Sequence, residues 1–161
     1  MQSHTHVTRS FRVALVIVAL AVLWPSADEA AAQTRIATAK SIQCSLHRQS
    51  TGTWLKDGAA EATVKSSALT LKFESIDSDA GTARLRSGAT GADVTVRLAE
   101  GYLHFMQAFR TGPLYTTTVF EAGSSGNKFK VVHSRHEYFA TPLPGATSSP
   151  EQYYGECEVL E

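Results

Sequence analysis

Apolar and polar residues alternate along most of this chain. Leu69, Leu71 and Phe73 alternate with Thr70, Lys72 and Glu74, and Ala83 and Leu85 with Arg84 and Arg86. Val94, Val96 and Leu98 alternate with Asp93, Thr95 and Arg97. Leu103, Phe105, Gln107 and Phe109 stand opposite Tyr102, His104, Met106 and Ala108. A period of two is the signature of strands with one buried face. Ile42–Leu46 and Thr53–Lys56 are shorter strand candidates, Leu114–Glu121 is a Thr-rich one, and Gln152–Leu160 is the last. Turn signals separate them: Asp77-Ser78-Asp79-Ala80-Gly81, Gly88 to Gly91, Glu100-Gly101, Gly112-Pro113 and Gly123 to Asn127. Gln33–Ser41 reads as a short helix or a loose tail. The pattern predicts eight or nine short strands with short connections, so successive strands are antiparallel neighbours. The expected fold is all-β: an antiparallel meander of about eight strands closed into a small barrel, with a two-layer β-sandwich as the alternative. Closure removes exposed strand edges.

The longest uninterrupted strand candidate is Phe129–Phe139. Extended, it sets Val131, His133, Arg135, Glu137 and Phe139 on one face and Val132, Ser134, His136 and Tyr138 on the other. Neighbours two apart on a face can form a charge-assisted network. Turned inward, His133, Arg135 and Glu137 would line a polar ligand pocket, with Arg135 as the anchor for an anionic group because its planar fork matches a carboxylate. Tyr102, Tyr115 or Tyr138 could complete such a site. Turned outward, the same face is a solvated surface, which is the plainer reading.

The chain begins differently. Arg9 and Arg12 precede the uncharged apolar run Val13–Trp24, then Pro25 and Ser26, and Ala30-Ala31-Ala32 offers an A-x-A cleavage site. This is the plan of a secretory signal peptide. The run is shorter than the roughly 20 residues a membrane-spanning helix needs. The expected organisation is therefore a signal peptide over 1–32 and a single β domain over 33–161, secreted or periplasmic and without a stable membrane span after cleavage. The 15 basic and 15 acidic residues balance, and cleavage leaves them balanced. Nucleic acid and anionic membranes select a basic excess, so neither is an expected partner.

The chain has two cysteines, Cys44 and Cys157. In an exported protein the expectation is a disulfide, which would join the first strand to the last. Those strands are neighbours in a closed barrel. The C-x-x-C spacing of metal and redox sites is absent.

Other chemistry is thinner. His133 and His136 lie on opposite faces of an extended strand, so even with His104 as a third ligand they do not predict a metal site. There is no G-x-S-x-G elbow, no H-E-x-x-H helix and no phosphate-binding glycine loop. No catalytic residue, metal or cofactor is assigned. Gly52-Thr53-Trp54 resembles the G-x-W signature of the calycin barrels: lipocalins, fatty-acid-binding proteins and avidins. There it sits on the first strand and the tryptophan closes one barrel end. The resemblance implies a small calycin-like barrel and carries over no ligand residues. Without it, Trp54 reads as a core aromatic. The segment Thr141–Pro150, with three prolines, is long for a hairpin loop; it suits a partner-presenting loop or, more plainly, an exposed connection. The role expected is a binding module, taking a small molecule in the barrel mouth or an extracytoplasmic protein through its loops. The alternatives are a structural or interaction protein of the cell envelope without a ligand and, third, a small hydrolase. The first two differ in whether the barrel interior is hollow or filled. The sequence carries no signal for oligomeric state.

Overall fold

The computed structural model describes residues 35–125, 127–138 and 149–160. The expected leader and its cleavage point lie outside these residues, as do Phe139 and most of the Thr141–Pro150 segment. Eight strands run in order: β1 (Ser41–Trp54), β2 (Ala60–Asp77), β3 (Thr82–Ser87), β4 (Thr90–Ala99), β5 (Tyr102–Ala108), β6 (Leu114–Ser125), β7 (Lys128–His136) and β8 (Glu151–Leu160). Each pairs antiparallel with the next, and β8 returns to pair with β1, so the sheet closes as a barrel. The sandwich alternative is therefore not the fold.

Closure places Cys44 directly opposite Cys157, and the two form a disulfide across the β1–β8 seam. The bridge spans 113 residues, and in the chain-entropy account a loop of that order contributes about 4–5 kcal/mol. At the same seam β1 bulges at His47, between the pairs of Leu46 and Arg48. The bulge shifts the inward phase, so Leu46 and Gln49, three apart, both face the interior. A second irregularity lies between Glu74 and Asp77, where Ser75 takes φ 52°, and it brings Ile76 inward after Phe73.

The two halves of the barrel interior differ. At the end where β1 starts and β8 finishes, the interior is filled by apolar side chains, with Phe73 stacked on Phe105 and with Ile42, Leu103 and Phe129 almost wholly buried. One helical turn at residues 35–38 plugs this end with Ile36 and Ala39, and the Arg35 guanidinium lies over the Phe129 ring. At the opposite end, where β7 finishes and β8 starts, polar side chains replace the apolar ones and the interior opens into a mouth.

The sequence expectation misses part of β1 and β2. Ile42–Leu46 and Thr53–Trp54 belong to one strand, which ends before Leu55 and Lys56, and β2 begins nine residues before Leu69. Ala60 to Ser66 is exposed on both faces, so it carries no alternation to read. It is a strand because the β1 register continues to Trp54 opposite Ala60. The hairpin therefore extends beyond the barrel wall. Trp54 is 53% exposed and makes an edge contact with Tyr138. It neither closes a barrel end nor joins the core, which corrects both readings of the G-x-W triplet.

Candidate functional site

The face of β7 carrying His133, Arg135 and Glu137 points into the barrel. The register on either side explains what meets it. Arg135 pairs with Tyr115 of β6 and with Glu151 of β8, and His133 pairs with Thr117 and with Tyr153. Two cross-strand rows, Tyr115–Arg135–Glu151 and Thr117–His133–Tyr153, thus form one polar wall. Glu137 lies just past the end of β7 and remains buried, where it accepts a hydrogen bond from the Tyr115 hydroxyl at 2.6 Å.

Arg135 sits at the centre. Its guanidinium carbon lies 5.3 Å from the Tyr115 ring centroid and 5.1 Å from that of Tyr153, so the cation is sandwiched between two π faces. Nη1 approaches the Glu151 carboxylate at 3.8 Å, and Nε donates a long hydrogen bond, 3.4 Å, to His133 Nε2. Glu151 also accepts from the Tyr153 hydroxyl at 2.6 Å and from Gln49 of β1. Gln49 reaches inward because of the β1 bulge. Buried carboxylates held by several donors are rigid, and here they fix the tyrosines that flank the arginine.

Burial, with the Arg135 charge adding to it, lowers the His133 pKa from 6.5 to about 4. The ring is therefore neutral at neutral pH. Since Nε2 accepts from Arg135, the proton is on Nδ1, which donates to Thr117 Oγ1 at 2.8 Å. That tautomer gives Thr117 a proton instead of removing one, the opposite of nucleophile activation. Burial and the bond to Glu137 push the Tyr115 pKa up to about 12. Burial and the bond to Glu151 likewise raise that of Tyr153. Both phenols remain protonated donors.

In front of this wall lies a cavity of about 300 Å³. Leu71, Leu85, Ala92 and Phe109 give it apolar walls, Ser87, Thr90 and Gln107 add polar groups, and Tyr115, His133 and Arg135 form its back. Phe109 and Tyr115 meet edge to face at 4.8 Å. Glu137 and Glu151 stand behind the arginine and tyrosines and do not line the cavity.

His104 is elsewhere. It lies on the outer face, bonded to Thr118 and stacked on Tyr102, so the barrel wall separates it from His133. His136 is exposed at the end of β7. Among the described residues no three potential ligands cluster. Of the tyrosines expected as helpers, Tyr115 is in the wall, Tyr138 is exposed by the mouth, and Tyr102 is outside at the far end. Thr117, Gln49, Glu151 and Tyr153 were not legible as partners. The alternation of Glu151 and Tyr153 against Gln152 and Tyr154 shows which residues share a face, but only the register shows that they face His133 and Arg135.

No protein-family model matches the chain, and no curated protein or solved structure matches it.

Proposed function

We propose that this chain is an exported binding protein that takes a small molecule in the mouth of its barrel. The observation that carries the reading is the division of the interior: filled and apolar at one end, open at the other into a cavity backed by an ordered arginine. At about 300 Å³ the cavity is at the lower end of small-molecule sites, which span about 300–1,000 Å³. Apolar walls with a few convergent polar groups are the usual make-up of such sites. A barrel serving only as a structural element has no need of an interior carboxylate–tyrosine–arginine framework, which is harder to satisfy than apolar packing. The leader pattern at Arg9–Ala32 and the disulfide both suit an oxidising, extracytoplasmic compartment. Native mass spectrometry of the protein purified from its source tests the binding role. The expected result is a mass above that of the disulfide-bonded chain, restored to the chain mass on denaturation. A bare mass together with no response to any small-molecule fragment refutes it. N-terminal sequencing of the same material is expected to begin at Gln33; a product retaining Val13–Trp24 refutes the export reading.

A further inference from the structure

Resting on the binding role just proposed, we infer that the mouth selects small monocarboxylates with a compact apolar body, the carboxylate meeting Arg135 and the body lying against Leu71, Leu85 and Phe109.

The charge of the lining points to a single negative group. Among the described residues, Arg135 is the only lining group with a formal charge when His133 is neutral. The two nearby carboxylates are turned away from the cavity: Glu137 holds Tyr115, and Glu151 holds Gln49 and Tyr153. A ligand therefore touches one cation on a lining whose other groups are neutral, with Glu151 3.8 Å from Arg135 Nη1 and Glu137 bonded to Tyr115 behind that lining. One negative charge complements it. A second would have to enter apolar surroundings unpaired, and a cation would be repelled by Arg135 at short range.

The geometry of the guanidinium narrows the choice to a carboxylate. Only 24% of the Arg135 side chain is exposed, and the two tyrosine rings hold the plane of the guanidinium. A guanidinium has five donors in a fixed fork. The contacts to His133 and Glu151 are long, 3.4 and 3.8 Å, and engage Nε and Nη1. Among the described residues the fork is thus oriented without being saturated, and a carboxylate is the group that uses two parallel donors at once. Phosphate and sulfate share that chemistry but bring no apolar body to the leucine and phenylalanine walls. Size sets the last bound, since about 300 Å³ has no room for a long acyl chain or a large conjugate.

The test uses matched acid and amide probes on the intact disulfide-bonded chain: benzoate with benzamide, phenylacetate with phenylacetamide, hexanoate with hexanamide. Binding is followed by protein-observed NMR, with the shifts mapped onto β3–β7. At least one acid is expected to bind at least tenfold tighter than its amide, perturbing Leu85, Tyr115 and Arg135. Arg135→Lys, which keeps the charge and loses the fork, is expected to reduce that preference. Leu85→Trp, which fills the cavity without touching the Arg135 framework, is expected to abolish acid binding while the fold is retained. Equal binding of acid and amide at the mouth overturns the inferred ligand class and leaves the binding role standing. Silence from every probe overturns the inferred ligand class, while the binding role stands or falls on the native mass measurement. Acid binding that survives Leu85→Trp overturns the placement.

Discussion

Replacing His133 by Asn isolates one titration in a wall of charged and hydrogen-bonded groups. Asn keeps an amide able to donate to Thr117 and removes the group that protonates. In the folded chain His133 is 3% exposed and its Nε2 faces the Arg135 guanidinium, so burial and a like charge both disfavour an imidazolium. Its pKa is lowered from 6.5 to about 4. The unfolded chain therefore binds this proton first as pH falls, so stability is intact above about pH 6.5 and declines toward pH 4. Every tenfold difference in proton affinity between the folded and unfolded chain is worth about 1.4 kcal/mol, so the full loss is about 3 kcal/mol, most of it expressed by pH 4.5. For a domain of this size that is about 8–10 °C in melting temperature. The assay is urea or thermal unfolding of native chain and His133→Asn at pH 7.5 and 4.5, disulfide intact. The carboxylates titrate in both proteins, and the cavity left by Asn does not depend on pH. The drop on acidification is expected to be smaller in the variant by about 2 kcal/mol. Equal drops in the two proteins refute the claim that His133 is buried neutral.

The remaining predictions concern the seam and the wall. Cys157→Ser is expected to lower stability by about 2–5 kcal/mol, read from urea unfolding, while non-reducing peptide mapping of the native chain shows the Cys44–Cys157 peptides joined. Gly155→Ala would place a Cβ on the Ser45 carbonyl oxygen and 2.7 Å from Leu46 Cα. Both are backbone atoms, so the β1–β8 seam must shift, with an expected loss of about 1–3 kcal/mol; native-like stability would mean the strands approach less closely there. Arg135→Ala leaves Glu151 buried without its cation and removes the cation–π sandwich, and is expected to lose about 1–3 kcal/mol by chemical unfolding. A change of only a few tenths of a kcal/mol is what a solvated arginine would give and would contradict the inward placement.

Period-two alternation alone determined that this is an all-β chain, roughly how many strands it has and where most of them turn. It also showed that His133, Arg135 and Glu137 share a face and that Cys44 and Cys157 sit in the first and last strands, because these are relations within a strand or along the chain. Three matters were decided only by the tertiary structure. A polar face reads the same in sequence whether it points to solvent or to an interior, so only closure shows that this face of β7 is inside. Partners across strands depend on register, which is set by bulges and turns and not by alternation; the bulge at His47 is what turns Gln49 toward Glu151. Finally, Ala60–Ser66 is exposed on both faces and has no pattern to read. Its strand exists through backbone pairing with β1, which is why the hairpin outgrows the barrel and carries Trp54 into solvent.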